Sequence, residues 1–159
     1  MNKIAVFPGS FDPFTIGHES VVKRASTLFD KIIIAIGYNS QKNSFFSLET
    51  RKKIISKVFE NVPNVEIKSY SGMTIDFCKE VDSKYILRGL RTAADFEYER
   101  AIAQMNLSIS GIETVFLLTL PEHSPISSSI VREILRFKGD ASKFIPASIV
   151  IENYLEEVK

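Results

Sequence analysis

Short apolar runs alternate with helical stripes of apolar residues along the whole chain, and this alternation constrains the fold more than any other feature. Apolar or β-rich runs predict strands at residues 4–7, 31–37, 65–68, 85–87 and 114–120. Helical spacing predicts helices at 17–29, 48–62, 73–81, 130–135 and 151–158, and residues 92–95 resemble a capping box that opens another. The predicted class is α/β, a Rossmann-like, doubly wound five-stranded parallel sheet with helices on both faces.

Composition and length narrow the class of protein. The 159 residues are expected to form a single domain, 1–159, and 45% hydrophobic with 25% charged content is typical of a soluble globular protein. A net charge of +1 gives no support for binding nucleic acid or a membrane surface. No apolar run approaches the roughly 20 residues of a membrane span, and no signal-peptide pattern is visible. We therefore expect a cytoplasmic protein.

Polar residues follow each predicted strand. Parallel sheets of this type bind ligands beyond the carboxyl ends of their strands. These ends are followed in turn by Ser10 and His18, by Lys42, by Thr74, by Arg88 and Arg91, and by Ser127, Ser128 and Ser129. This convergence predicts one site at that edge of the sheet.

The segment after the first strand has the features of a phosphate site. Pro8 and Gly9 are expected to end the strand, and the helix that follows places His18 in its first turn, where backbone N–H groups and the helix dipole favour an anion. Neither common glycine-rich phosphate motif is present. The alternatives are a capping or half-buried structural role for His18 and a turn role for Ser10.

Basic residues supply the charge that such a site needs. Arg88 and Arg91 flank Gly89 and suggest a polyphosphate clamp, and the flexible ammonium of Lys42 suits a mobile phosphate. Glu99 is a candidate either to order an arginine or to contact a ribose hydroxyl. The alternatives are a solvated lysine at position 42 and surface ion pairs of the two arginines with Asp95, Glu97 or Glu99.

Three consecutive serines precede the helical stripe at residues 130–135. One serine is enough for an N-cap, whereas three hydroxyls with their N–H groups can bind an anion. Arg132 in the first turn opposes the helix dipole, which a bound anion would offset. The histidines and the single cysteine show no ligand spacing for a protein metal site, so Mg²⁺ carried by substrate phosphates is the compatible metal.

Four segments in order resemble a known enzyme family. Gly9-Ser10-Phe11-Asp12-Pro13 with Thr15-Ile16-Gly17-His18 resembles the first nucleotidylyltransferase motif. Ile126-Ser127-Ser128-Ser129 is similar to the second motif of that superfamily. Arg88-Gly89-Leu90-Arg91, followed by residues 95–99, narrows the resemblance to the bacterial phosphopantetheine adenylyltransferases.

The resemblance implies transfer of AMP from ATP to 4′-phosphopantetheine, giving dephospho-coenzyme A and pyrophosphate, with Mg²⁺ as cofactor and a homohexamer as the assembly. By position, the catalytic residues would be Ser10, His18, Lys42 and Arg91. The acceptor would be bound by Ser10, Lys42, Thr74 and Arg88. ATP would be bound by Ser10, Phe11, His18, Gly89, Leu90, Arg91, Glu99, His123, Ser124, Ser127, Ser128 and Ser129.

Other functions remain open at this point. A related nucleotidylyltransferase using another phosphorylated acceptor, or CTP, shares the first motif, and a non-catalytic nucleotide-binding module would keep the fold without needing Lys42 or the two arginines. A dinucleotide-dependent oxidoreductase would need a glycine-rich fingerprint that the chain lacks. In the adenylyltransferase reading the nucleophile is an ionised phosphate oxygen, so catalysis would rest on positioning and charge stabilisation rather than on a side-chain base.

Overall fold

A computed structural model describes residues 2–158 as five strands alternating with five α-helices. The strands are β1 (Ile4–Gly9), β2 (Lys31–Gly37), β3 (Val65–Tyr70), β4 (Tyr85–Leu90) and β5 (Glu113–Leu118). The helices are α1 (Ile16–Ala25), α2 (Leu48–Val58), α3 (Thr74–Glu80), α4 (Ala93–Ser110) and α5 (Ser128–Arg136). Every strand pair is parallel and the order is β3-β2-β1-β4-β5, which confirms the predicted class.

The core lies on both faces of the sheet because β1 and β2 are apolar on both sides. Side chains of α1, α2 and α5 pack on one face around Phe14, Ile54 and Leu135. Ile75, Phe77 and Cys78 of α3 pack on the other face. Burial raises the pKa of the Cys78 thiol to about 11, so that thiol is protonated and inert near neutral pH.

Three strands, β1, β3 and β4, extend beyond their predicted ends, and the extensions of β1 and β4 change where the site residues lie. Pro8 and Gly9 do not end β1, which pairs with β2 through Gly9. Pro8 is accepted there because β4 pairs with β1 only at Ala5 and Val6, so the missing N–H of Pro8 interrupts no bond on that side. Likewise, Arg88 stands inside β4 rather than after it.

Helices α1 and α2 end four residues before their predicted ends, at Ala25 and Val58, and the last predicted helix differs in type. Helix α2 stops at Val58. The apolar pattern continues beyond it because Phe59 and Val62 still pack on the core after the backbone turns. The last predicted helix is a 3₁₀ helix, Ile151–Glu157, whose three-residue period keeps Ile151 and Tyr154 on the core. Within residues 2–158, no helix has the length and apolar character needed to cross a bilayer.

Candidate active site

A cavity of about 380 Å³ opens at the carboxyl edge of β1 and β4. Two of the residues predicted to bind ATP, Leu90 and Ser124, do not line it. Leu90 is 6% exposed, and the Ser124 hydroxyl donates to the carbonyl of Arg91 at 3.3 Å. The other residues predicted to bind ATP all line this cavity, namely Ser10, Phe11, His18, Gly89, Arg91, Glu99, His123, Ser127, Ser128 and Ser129. We call it the nucleotide cavity.

Two further cavities adjoin it. The second, of about 340 Å³, is lined by Ser10, Thr74 and Arg88, three of the residues predicted to bind the acceptor. The third, of about 550 Å³, contains the fourth, Lys42. Ser10 lines all three cavities and therefore stands where they meet. Lys42 is exposed, and its ammonium has no partner within the described range 2–158.

The start of α1 fixes the tautomer of His18. Thr15 is the N-cap, and its backbone N–H donates to Nδ1 of His18 at 3.0 Å while its hydroxyl accepts from the His18 N–H. A backbone N–H can only donate, so Nδ1 must be the acceptor and the ring proton must be on Nε2. The capping role and the functional role are thus compatible, because capping uses Nδ1 and leaves Nε2–H available.

The surroundings of His18 keep its ring neutral. The rings of Phe7, Phe11 and Phe14 lie 6.2, 5.1 and 5.3 Å from the imidazole, measured between centroids. Burial, and after it the positive charges of Arg88 and Arg91, lower the pKa of His18 to about 3. His18 is therefore a neutral hydrogen-bond donor at physiological pH rather than a general acid.

Gly9 is required by the close approach of the Phe11 ring. A Cβ at position 9 would lie 2.8 Å from Cζ of Phe11, which is closer than carbon atoms can approach. Phe11 itself has a φ of 48°, in the left-handed region that non-glycine residues rarely adopt. The loop thus holds the Phe11 ring between Gly9 and His18.

Both arginines of the predicted clamp are paired with carboxylates of α4. Arg88 donates from Nε and Nη2 to Glu99 at 3.0 and 2.6 Å, and from Nη1 to the Pro8 carbonyl at 2.6 Å. Nε of Arg91 lies 3.2 Å from Oδ2 of Asp95. Although burial raises it, the pKa of Asp95 is held below its usual value by the Arg91 backbone N–H and then by the Arg91 charge. The site thus contains two arginine–carboxylate pairs.

Each of the three serine hydroxyls has its own partner. Ser127 is the N-cap of α5 and accepts from the Ile130 N–H at 3.2 Å. Ser128 donates to the Pro13 carbonyl at 2.8 Å. Nη2 of Arg132 donates to Ser129 at 3.1 Å, and its Nη1 donates to the Asp12 carbonyl at 2.7 Å. Arg132 therefore links the serine motif to the first loop, and it is the fifth residue of α5, just past the first turn in which the sequence placed it.

The carboxylates of the nucleotide cavity do not fit a resident metal ion. Asp95 and Glu99, which line it, are each paired with an arginine. Within residues 2–158, no three His, Cys, Asp or Glu side chains cluster closely enough to hold a metal.

Some residues around the cavities were not predicted. Thr119 lines the nucleotide cavity, while Tyr98 and Asn106 of α4 line the second cavity. Arg51 lines the third cavity and is buried. A signal for Arg51 was present in the sequence, because it lies four residues before Ile55 on the apolar stripe of α2.

Comparison with known proteins is consistent with this geometry. Residues 6–134 match the sequence model of the cytidylyltransferase-like family. A phosphopantetheine adenylyltransferase of Flavobacterium psychrophilum is 53% identical over 148 residues, 93% of this chain and 98% of that protein. One from Bacteroides thetaiotaomicron is 50% identical over 147 residues, 92% of this chain and 97% of that protein.

Solved structures with low sequence identity share the fold. A bifunctional NMN adenylyltransferase/ADP ribose pyrophosphatase from Francisella tularensis, complexed with AMP and a manganese ion, matches 99% of this chain and 49% of its own length, with a TM-score of 0.74 at 17% identity. A nicotinic acid mononucleotide adenylyltransferase of Plasmodium falciparum, complexed with NaAD, matches 100% of this chain and 99% of its own length, with a TM-score of 0.69 at 19% identity.

Proposed function

Since the chain belongs to the cytidylyltransferase-like family and, within it, to the phosphopantetheine adenylyltransferases, we propose that its site transfers AMP from ATP to 4′-phosphopantetheine. The products are dephospho-coenzyme A and pyrophosphate. The observation that carries this proposal is the meeting of the nucleotide cavity with the second and third cavities at Ser10. Two phosphorylated substrates can approach each other there. We place the reaction in the cytoplasm, where ATP is made available.

The reaction is an in-line displacement at phosphorus. A phosphate oxygen of the acceptor forms a new bond to the α-phosphorus of ATP, and the bond from that phosphorus to the bridging oxygen of the β-phosphate breaks. Pyrophosphate leaves with the bonding electrons. The attacking oxygen is already ionised, so the chain must position two polyanions and stabilise the charge that develops.

The nucleotide-cavity residues supply these functions. The Nε2–H of His18 donates a hydrogen bond to an oxygen on the α-phosphate as charge accumulates there. The N–H groups at the start of α5 and the guanidinium of Arg91 bind the departing phosphates. Ser10, at the junction of the cavities, contacts the acceptor phosphate together with Lys42.

Magnesium enters this proposal only as part of the nucleotide. The cavity carboxylates are already paired with arginines, so Mg²⁺ would arrive with ATP rather than reside on these side chains. Mg²⁺ supplies charge neutralisation on the phosphates.

Pyrophosphate release tests the function. Purified protein with ATP and Mg²⁺ should release pyrophosphate only when 4′-phosphopantetheine is added, with dephospho-coenzyme A as the second product. Replacing ATP by CTP should abolish release. Release with CTP, or with another phosphorylated acceptor and not this one, would assign the site to a related nucleotidylyltransferase. ATP binding without release under any condition would leave a nucleotide-binding module.

The pH dependence should differ between activity and stability. Since the pKa of His18 falls from 6.5 unfolded to about 3 folded, only the unfolded chain binds its proton between these values. The free energy of unfolding should therefore fall as pH drops from 6.5 towards 3, and less steeply in His18→Gln. The acid limb of kcat/KM is set by the acceptor phosphate, whose pKa is about 6. It should therefore be the same in the wild-type protein and in His18→Gln. Denaturant titrations and initial rates across pH check this. A shift of the acid limb of kcat/KM in His18→Gln would show that His18, and not the acceptor phosphate, sets that limb.

Lys42→Ala should weaken capture of the acceptor and leave the nucleotide largely unaffected. A hydrogen bond to a charged group contributes about 1.5–3 kcal/mol, so the acceptor Kd should rise about 10- to 100-fold. Titration calorimetry with each substrate measures this. Lys84→Ala, an exposed lysine away from the three cavities, is the control. An unchanged acceptor Kd in Lys42→Ala would remove Lys42 from the site.

A homo-oligomer, with the hexamer as the specific expectation, is supported by an apolar stripe on α4. Tyr98, Ile102, Met105 and Ile109 recur at helical spacing and are 70, 40, 60 and 57% exposed. We propose that further copies of the chain cover this stripe. Light scattering should give a mass about six times 17.9 kDa, and Met105→Glu should lower it. Leu28→Glu, an exposed leucine away from α4, should leave the mass unchanged.

A further inference from the structure

Arg51 is a buried charged residue that the proposed chemistry does not use. It is 4% exposed, near the start of α2. Its Nη1 donates to the carbonyl of Ser10 at 2.7 Å, and its Nε donates to the carbonyl of Ser47 at 3.4 Å. A buried guanidinium costs free energy unless it is hydrogen-bonded and compensated. The buried guanidinium of Arg51 lies next to the backbone of Ser10, the residue at the junction of the three cavities.

A second buried charge, Asp12, joins the same loop to the segment that follows Lys42. Asp12 is 6% exposed, and its carboxylate accepts from the N–H groups of Phe45 and Phe46 at 2.7 and 2.8 Å. Its negative charge partly compensates Arg51, whose pKa is lowered by burial and raised by Asp12. The Ser10 loop (residues 9–13) and the Lys42 loop (residues 38–46) are thus tied together and to α2.

Ser10 and Lys42 depend on their loops for position. Both are exposed, and neither side chain has a hydrogen-bond partner within the part of the chain that is described, residues 2–158. Their separation is therefore set by the backbone of the two loops, which Arg51 and Asp12 fix at Ser10, Phe45 and Phe46.

We propose that Arg51 is a positioning residue that acts through the carbonyl of Ser10 and, with Asp12, holds the Ser10 loop and the Lys42 loop at the separation at which both side chains contact the acceptor phosphate. The proposal rests on the proposed function. Arg51 lines the third cavity but is 4% exposed and donates to the backbone carbonyls of Ser10 and Ser47, and it does not line the nucleotide cavity. Its removal should therefore act on the acceptor rather than on the nucleotide. A displacement of about 1 Å at a reacting group can cost about 10²-fold in rate, so a fixed separation matters.

Arg51→Lys tests the proposal because it keeps the charge and loses the fork that reaches two carbonyls. We expect kcat to fall about 10- to 100-fold and the acceptor KM to rise, with the Kd for ATP unchanged. In a Lys42→Ala background the same substitution should have a smaller effect on acceptor KM, since coupled residues are not additive. Arg24→Met is the control, because its Nη1 also donates to a backbone carbonyl, that of Leu118 at 2.6 Å, and Arg24 lines none of the three cavities.

Amide hydrogen exchange gives a readout that does not depend on activity. Exchange at Phe45 and Phe46 and across the Ser10 loop should accelerate in Arg51→Lys and stay unchanged in β2. Lower thermal stability with normal kcat, acceptor KM and loop exchange would make Arg51 merely structural and overturn the proposal. Should the wild-type protein release no pyrophosphate, the proposed function fails, and the exchange experiment alone then decides whether Arg51 positions the loops.

Discussion

Replacing His18 by alanine is expected to lower kcat by about 10²–10³, the effect of losing one donor aimed at developing negative charge. The neutral ring donates from Nε2 because Nδ1 is occupied by the Thr15 N–H. The KM for ATP should change little, since this hydrogen bond strengthens only as charge accumulates on the α-phosphate. Single-turnover rates with saturating substrates measure the chemical step directly.

The loss of the cap must be separated from the loss of the donor. His18→Ala also removes the Nδ1 acceptor of the capping box, which should cost about 1 kcal/mol of stability. Thr15→Ala, which removes the other half of that box, is the matched control and should lower stability with a much smaller effect on kcat. Near-normal kcat in folded His18→Ala, or an equal fall of kcat in Thr15→Ala, would contradict the assigned role.

The fold was predictable because burial on both faces of the sheet is visible in the sequence. β2 is a continuous apolar run, and residues 32–36 are fully buried. The ends of elements were less predictable because apolar spacing records packing rather than backbone hydrogen bonding. Val62 and Leu155 both pack on the core, one after α2 has ended and the other from a 3₁₀ helix.

The residues around the site were largely predictable, whereas their pairing was not. Parallel topology brings strand ends together, so polar residues after each strand had to converge. The partner of Arg88, however, depends on how α4 is rotated. Asp95 and Glu99 share a face one turn apart, and Glu97 points elsewhere and pairs with Arg100. Which of Asp95 and Glu99 pairs with Arg88 is therefore decided only by tertiary packing.

Replacing Arg88 by methionine is expected to lower kcat/KM for the acceptor by about 10³-fold. Arg88 holds both oxygens of Glu99, whose side chain is 14% exposed, so its removal leaves an uncompensated carboxylate facing two polyanions. Removing one partner of a buried, hydrogen-bonded charge pair costs about 2–5 kcal/mol, and repulsion of the substrates adds to this. Initial rates at varied acceptor concentration give kcat/KM, and thermal unfolding checks that the variant folds.

The double variant separates this electrostatic effect from direct binding. If the loss in Arg88→Met comes mainly from the uncompensated carboxylate of Glu99, adding Glu99→Gln should recover part of kcat/KM. The neutral amide of the glutamine does not repel phosphate. If Arg88 acts only by donating to a substrate phosphate, the double variant should be no better than the single one. Asp95→Asn serves as the matched control for Glu99→Gln, since it neutralises a carboxylate on the same face of α4 that pairs with Arg91 instead. Recovery in the first double variant, and none when Asp95→Asn is combined with Arg88→Met, would establish that Arg88 and Glu99 act as a unit that keeps the acceptor side of the site from repelling its substrate.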